Sequence, residues 1–376
     1  MPEDREELEA WLVLLRAPSL GARRIRALLE RFGSAAEVLR QAPSALRELG
    51  LPEQALRALL APDERHLRED LKWLESPGRR LLCFTEPDYP PQLASVSNAP
   101  AALFLEGDPA LLLHPQVAVV GSRNASAAGR AIARDFARAL ARAGFTVTSG
   151  LAEGIDAAAH RGALEVGGKT IAVTGCGPDR IYPPRHAELQ ATIAREGLVA
   201  SEFPPGTPPR RAHFPMRNRI IAGLSLGVLV VEAGLLSGSL ITARLAAEAG
   251  REVFAVPGSI RNPLARGCHR LLREGALLVE DPAEIIEALA PAALALGRAV
   301  VPLIESTPAA MPNSEGEGLD PEYARLLDAL GHGPESVDAL VERTGLTIEA
   351  VSSMLLLLEL NGLVASAGSG RYQRIA

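Results

Sequence analysis

The sequence predicts an α/β protein built on a Rossmann-like, doubly wound parallel sheet. An N-terminal helical domain of SAM or helix-hairpin-helix type and a C-terminal winged-helix domain flank it. Three observations predict this. Between Val117 and Glu280, short unbroken apolar runs alternate with amphipathic helical patterns, as parallel strands covered on both faces require. Residues 1–80 carry apolar side chains at helical spacing, interrupted by Pro and Gly turns. Residues 319–376 give three helical patterns followed by a short hairpin. The expected domains are therefore 1–85 (helical), 86–290 (sheet), 291–318 (linker) and 319–376 (winged helix).

In the first region Trp11, Leu12, Leu14 and Leu15 give way to Pro18-Ser19-Leu20-Gly21, and Ile25, Leu28, Leu29 and Phe32 resume the helical period. A helix, a tight turn and a helix bearing Arg23, Arg24 and Arg26 resemble a helix-hairpin-helix unit, in which turn amides and cations hold a nucleic-acid phosphate. A plain helical bundle with solvated arginines is the alternative. In the second region the expected strands are Val117–Val120, Phe145–Thr148, Thr170–Thr174, Leu198–Glu202, Gly227–Val231, Glu252–Val256 and Ala276–Val279. Helices are expected over Ser126–Ala143, Ile155–Val166, Arg185–Glu196, Met216–Leu224 and Ser239–Ala249, with residues 86–111 adding an edge strand or cover. The aperiodic Pro, Ala, Ser, Gly and Glu of 290–318 read as linker. Beyond it come helical patterns at Pro321–Leu330, Ser336–Arg343 and Thr347–Leu360, then a hairpin from Leu363 to Ile375 turning at Gly368-Ser369-Gly370. The third of those helices has no basic residue between Ile348 and Met354, and only Arg371 and Arg374 on the wing are cationic. Duplex reading by this unit is poorly supported, and a protein contact fits as well.

Charge is unevenly placed. The whole chain has a net charge of −6, yet residues 112–279 hold 20 basic against 12 acidic side chains. A basic middle inside an acidic protein is what a localised anion-binding surface looks like. Apart from Lys72 and Lys169 every basic side chain is arginine, whose planar fork suits phosphate. Cys83, Cys176 and Cys268 lie far apart with no CxxC spacing, so neither disulfides nor a zinc site is expected. A reducing cytoplasm is the expected location, with no membrane association and no cofactor. No apolar run approaches the roughly 18 residues of a membrane span.

Several catalytic patterns fail on context. Gly167-Gly168-Lys169-Thr170 lacks the first glycine of a Walker loop and precedes a strand. Gly223-Leu224-Ser225-Leu226-Gly227 runs from helix to strand, the reverse of a nucleophile elbow. The first strand leads into Gly121-Ser122-Arg123 without the second glycine of a dinucleotide fingerprint. Asp156 and His160 sit four apart on one helix and could pair, most simply as a structural hydrogen bond.

Four segments place small residues and arginines where strands end. They are Gly121-Ser122-Arg123, the turn from Ser149-Gly150 to Gly154, the stretch from Ser201-Glu202-Phe203 to Arg217-Asn218-Arg219, and Glu232-Ala233-Gly234 through Ser237-Gly238-Ser239 to Thr242, where a Ser-Gly-Ser turn opens a helix. Each alone reads as an ordinary parallel-sheet turn. Together, on one edge of a basic domain, they predict an anion site for a ligand with repeated phosphates and an unstacked base, with Phe203 as the stacking face.

These residues resemble the DNA-processing protein A family (DprA, also called Smf). Besides those four segments, the resemblance rests on Ile155-Asp156 with His160, Tyr182-Pro183, Phe214-Pro215-Met216, Leu240-Ile241-Thr242-Ala243 and Phe254-Ala255-Val256-Pro257-Gly258. It implies a non-enzymatic protein that binds and protects single-stranded DNA taken up in natural transformation and loads the RecA recombinase onto it. It further implies a homodimer formed through the segment around Gly267-Cys268-His269-Arg270-Leu271-Leu272. The family's phosphate-binding arginine maps onto Arg123, a basic residue after Tyr-Pro onto Arg185, the base-stacking aromatic onto Phe203, and the Arg-Asn-Arg cluster onto Arg217, Asn218 and Arg219. Two positions depart from the pattern: His186 and His269 stand where asparagine is expected. The rival reading is a phosphoribohydrolase cleaving base from nucleoside monophosphates, with Glu232 as acid or base. Against it, Gly234-Leu235-Leu236-Ser237-Gly238-Ser239 lacks that family's glycine pair.

Overall fold

In the computed structural model the chain divides into a unit spanning Met1–Thr307 and a second spanning Pro308–Ala376. The structure describes residues 4–306, 321–330, 335–348, 364–368 and 371–374, together with Val351, Met354, Leu355 and Leu358.

The first unit opens with six helices: α1 (Arg5–Arg16), α2 (Ala22–Phe32), α3 (Ala35–Leu39), α4 (Pro43–Glu48), α5 (Glu53–Leu60) and α6 (Glu64–Leu74). Then come β1 (Arg79–Cys83), α7 (Pro91–Ala94), β2 (Ala102–Gly107), β3 (Gln116–Val120), α8 (Ala127–Arg142), β4 (Thr146–Ser149) and α9 (Ile155–Glu165). They are followed by β5 (Thr170–Val173), α10 (Ala187–Glu196), β6 (Leu198–Ser201), α11 (His213–Leu224), β7 (Gly227–Val230) and α12 (Ser239–Glu248). The unit closes with β8 (Glu252–Ala255), α13 (Arg266–Arg273), β9 (Leu277–Leu278) and α14 (Pro282–Ser306).

One nine-stranded sheet runs through this unit in the order β1-β2-β6-β5-β4-β3-β7-β8-β9. From β6 to β9 every pairing is parallel, whereas β1 and β2 run antiparallel at the edge. The central strands are apolar on both faces because both are covered. Val117, Val119, Leu229 and Val231 pack on the side of α8 and α14, and Ala118, Val120, Val228 and Val230 on the side of α11, α12 and α13.

Two expectations need correcting. The helical region does not end where the sheet begins: β1 lies inside it and pairs with β2 from Arg79↔Glu106 to Cys83↔Ala102. The α1–α6 core packs on that edge, with Leu12, Leu14 and Leu28 in one cluster with Leu81 and Phe104, and Trp73 edge-on to Phe104 at 6.1 Å. The expected linker is helical over 291–306, since α14 continues to Ser306, and Ile285, Leu289, Leu296 and Val300 turn its apolar side to the sheet. The rest of that linker, 307–318, lies outside the described residues.

The second unit contains α15 (Pro321–Leu330), β10 (Glu335–Ser336), α16 (Val337–Thr344), β11 (Val364–Gly368) and β12 (Arg371–Arg374). Its three strands are ordered β10-β12-β11, the small sheet of a winged helix. Most of the expected third helix and the tip of the hairpin lie outside the described residues. Val351, Met354, Leu355 and Leu358 are helical and buried, at the spacing of one helix face. Among the described residues, no helix is long and apolar enough to cross a membrane.

Candidate nucleic-acid interface

The sheet reverses its direction of growth at β3. The chain adds β4, β5 and β6 on one side, then places β7, β8 and β9 on the other. A crevice opens outside the carboxyl ends of the strands at such a switch point. Here it is a cleft of about 750 Å³, walled by the turn after β3, the start of α11 and the turn before α12.

The turn after β3 is built for rigidity. Ser122 N–H donates to the Glu232 carbonyl at 2.6 Å, tying the ends of β3 and β7 together, and the Ser122 hydroxyl accepts from Asn124 N–H at 3.2 Å. The Glu232 carboxylate accepts from Ser126 N–H at 2.8 Å and from Ser126 Oγ at 2.7 Å, at the start of α8. Gly129 makes room for it, since a Cβ there would lie 2.4 Å from Glu232 Cδ. The first turn of α8 is therefore occupied by the protein's own carboxylate and offers little to an anion. What this turn does present is Arg123. Its guanidinium is exposed, lies 5.1 Å from the centre of the Phe214 ring, and has no carboxylate partner among the described residues. A cation on an aromatic face stays oriented yet keeps its N–H groups free for phosphate.

The turn after β4 also spends its donors internally. Ser149 is fully buried and donates to the Val119 carbonyl at 2.6 Å. The amides of Gly150 and Ala152 donate to Asp156 at 3.1 and 3.4 Å. Gly150 is small for a steric reason: a Cβ would sit 1.7 Å from Arg217 Nη1. Arg217 is 4% exposed, donates to the Val173 carbonyl at 2.6 Å, and forms part of the cleft wall. Burial lowers its pKa to about 10 against the opposing pull of Asp156, so it stays charged at neutral pH. Burial likewise raises the Asp156 carboxyl, while Arg217 and the two amides pull it back. Asp156 and His160 do not bond to each other; His160 Nδ1 meets Thr170 Oγ1 at 2.7 Å.

The third wall is the Ser237-Gly238-Ser239 turn. The two serine hydroxyls bond at 2.7 Å, and Asn218 Nδ2 donates to the Gly238 carbonyl at 3.2 Å. Asn218 thus fastens α11 to the start of α12, and both line the cleft.

The cleft therefore gathers Gly121, Ser122, Arg123, Arg217, Asn218 and the Ser237–Ser239 turn, with Gly150 packed behind Arg217 and Ser149 buried beneath. It does not gather the other three expected residues. Arg219 is pinned by both carboxylate oxygens of Glu202, and the two side chains are 12% and 15% exposed. Arg185 pairs with Glu153 at 3.1 Å and lines a separate groove with Arg161 and Glu188. Phe203 stacks on His213 at 4.1 Å and 16° and does not line the cleft. The aromatic surface of the cleft is instead Phe214 with Tyr182, their centroids 5.4 Å apart. Arg211 and Asn124 also line it. Helical phase carries part of this signal. Residues two apart on a helix point to opposite sides, so Arg217 and Arg219 cannot share one wall. Among the described residues, no group of three or more His, Cys, Asp or Glu side chains could hold a metal ion.

Three family models match the chain: DNA recombination-mediator protein A over residues 80–290, a DprA-like N-terminal HHH domain over 5–64, and a DprA winged-helix domain over 307–370. Protein Smf of Escherichia coli is 43% identical over 331 residues, 88% of this chain and 86% of its own. The DNA processing protein DprA of Streptococcus pneumoniae is 46% identical over 225 residues, 59% of this chain and 79% of its own. The crystal structure of DprA from S. pneumoniae superposes with a TM-score of 0.67 at 38% identity, covering 74% of this chain and 97% of that one. A structure of DNA processing protein A from Helicobacter pylori, described for its single-stranded DNA binding mode, matches with a TM-score of 0.50 at 32% identity, over 54% of this chain and 93% of that one. By its central domain, its flanking domains and relatives that align over most of its length, this chain belongs to the DNA recombination-mediator protein A family, DprA/Smf.

Proposed function

We propose that this protein binds single-stranded DNA in the cleft at the β3–β7 switch point and acts there as a mediator, protecting the strand and loading RecA recombinase onto it during natural transformation. The observation that carries the binding reading is Arg123, an exposed guanidinium without a carboxylate partner among the described residues, seated on the Phe214 ring. Phosphate and base need a fork for the backbone close to a flat face for an unpaired base; Arg123 covers one face of Phe214, and the Tyr182 ring beside it, 5.4 Å away, is exposed. Arg211 and the inner charge of Arg217 add positive potential. A duplex keeps its bases stacked and cannot use Phe214 or Tyr182 in this way. The H. pylori relative, described for binding single-stranded DNA, supports the same reading.

Binding without catalysis is part of the proposal. Glu232, the acid that a phosphoribohydrolase reading would use, is committed to Ser126 and the start of α8. Homodimerisation through the α13 segment and residence in the cytoplasm complete the proposal. Two protomers on one strand would raise apparent affinity through effective concentration.

Competition with labelled oligothymidine tests the binding reading. Unlabelled single strands should displace the label far better than duplex, and Arg123→Ala should weaken binding to all sequences alike. Equal competition by duplex, or a loss confined to one sequence, would overturn it. RecA-dependent ATP hydrolysis on single strands, with and without the protein, tests the loading step, which predicts a shortened lag. Release of free base from nucleoside monophosphates would revive the enzyme reading.

A further inference from the structure

On the N-terminal helices most arginines outside α2 are paired; Arg57 of α5 makes no ion pair among the described residues. Arg16, Arg40, Arg47, Arg65 and Arg68 are each held by a carboxylate. The four arginines of α2, Arg23, Arg24, Arg26 and Arg31, have no carboxylate partner among the described residues. Arg24 donates to the Ser19 carbonyl, Arg26 lies 4.9 Å from the Phe84 ring centre, and Arg31 lies over Phe32. Arg23 and Arg26 sit three apart, on one helix face. They line a groove of about 380 Å³ whose opposite wall is the loop from Ala94 to Ala99. On that loop Ser97 and Asn98 are exposed, and neither their amides nor their side chains make a hydrogen bond among the described residues. Glu30 also borders the groove and is the one acid on its rim.

Two guanidinium forks and bare loop donors thus border one groove, and the fold connects it to the cleft. Gly223, near the end of α11, backs onto α7 and this loop: a Cβ there would lie 2.9 Å from Leu93 Cδ1 in α7 and 3.2 Å from Val96 Cγ1 in the loop. The first turn of the same helix carries Phe214 in the cleft wall. Nine residues at 1.5 Å each put about 14 Å between the two ends.

We propose that the groove between α2 and the 94–99 loop is a second phosphate-binding site, holding the backbone of a single strand that runs on from the cleft. The proposal rests on the reading that the cleft holds single-stranded DNA. The groove offers no aromatic face besides Phe84 beneath Arg26, so it takes phosphate without regard to base.

Fluorescence anisotropy of the full-length protein with labelled oligothymidine of about 8 and about 30 nucleotides tests this. In Arg23→Glu, and in the double variant Arg23→Ala/Arg26→Gln, affinity for the long strand should fall about tenfold. The slope of log affinity against log salt should shrink by about 0.7 for each phosphate that the variant no longer neutralises. Affinity for the short strand should hold within about twofold. Arg23 is exposed, so Arg23→Glu answers the question even if replacing Arg26 above Phe84 disturbs folding. Equal loss on both lengths overturns the proposal. So does an unchanged long-strand affinity in a protein whose binding Arg123→Ala still weakens; that result leaves the cleft reading standing. If Arg123→Ala leaves both lengths unaffected, the cleft reading itself fails and takes the groove with it. If Arg23→Glu keeps its DNA affinity but loses binding to an oligoglutamate peptide, the groove docks an acidic peptide and the phosphate proposal is wrong.

Discussion

Replacing Gly150 with alanine puts one methyl group where the Arg217 guanidinium now lies. The new Cβ would stand 1.7 Å from Nη1, 2.3 Å from Cζ and 2.4 Å from Nη2, all inside any contact distance. Arg217 cannot simply swing aside, because it is 4% exposed and its Nη1 donates to the Val173 carbonyl. Overpacking of this kind costs about 1–3 kcal/mol, and losing a charge-assisted hydrogen bond about 1.5–3 kcal/mol. A partial shift of the side chain relieves some of each, which leaves a net destabilisation of about 3 kcal/mol. In a unit of this size that lowers Tm by about 5 °C. Thermal unfolding of Gly150→Ala measures it, and a double-mutant cycle isolates its cause. In an Arg217→Ala background the obstructing group is gone, so the Gly150→Ala penalty should drop below about 1 kcal/mol. An equal penalty in both backgrounds would refute the steric argument. So would a Gly150→Ala protein that melts with wild type.

Phe214→Ala should weaken single-strand binding by about 1–3 kcal/mol, the worth of one stacked base, while Phe203→Ala should cost much less; anisotropy titrations with oligothymidine rank the two. Arg16→Met should destabilise by about 3–5 kcal/mol in urea unfolding, because it strips the cation from the fully buried Asp70, to which Arg16 Nη2 donates at 2.5 Å. It also releases the Pro205 carbonyl, which Arg16 holds at 2.9 Å, and so loosens the loop leading to Arg211. His160 is fully buried, and burial lowers its pKa from 6.5 to about 3. Thr170 Oγ1 already donates to the Val147 carbonyl, so His160 Nδ1–H donates to Thr170, and a proton added at Nε2 would find no acceptor. A depressed base binds its proton in the unfolded chain first, so the stability it contributes is complete above pH 6.5 and is lost as pH falls toward about 3. Unfolding free energies across that window should carry a slope of about 1.4 kcal/mol per pH unit from this group, absent in His160→Gln.

The parallel sheet was legible because each buried strand is an unbroken apolar run ending in a small-residue turn. β1 was not, since Arg79-Arg80 opens it and only Leu81-Leu82-Cys83 is apolar, too short a run to separate from the helices before it. The helical half of the expected linker hid behind Pro291 and a run of alanines. Yet Ile285 and Leu289, and then Leu296 and Val300, are spaced four apart, as one helix face requires. In the site, residue type was readable and direction was not. Arg123 and Arg219 look alike in the chain, but the fold brings Glu202, at the end of β6, onto Arg219 of the next helix, whereas no acid reaches Arg123 among the described residues. The sequence pointed to Phe203 as the stacking face, but Phe214 and Tyr182 line the cleft and Phe203 does not. The turn amides that suggested phosphate nests were correctly placed at the strand ends. Several of them are satisfied from within, by Asp156 on the following helix and by Glu232, which is far along the chain from the Ser126 it caps.

The salt dependence of single-strand affinity, compared between the wild-type protein and Arg123→Ala, reaches the central claim most directly. Log affinity for oligothymidine should fall linearly with log salt, and the variant should show both a lower affinity and a slope smaller by about 0.7, one phosphate's share of released counterions. Parallel lines of equal slope would mean that Arg123 meets no phosphate, and the cleft would lose the group on which this account of DNA binding stands.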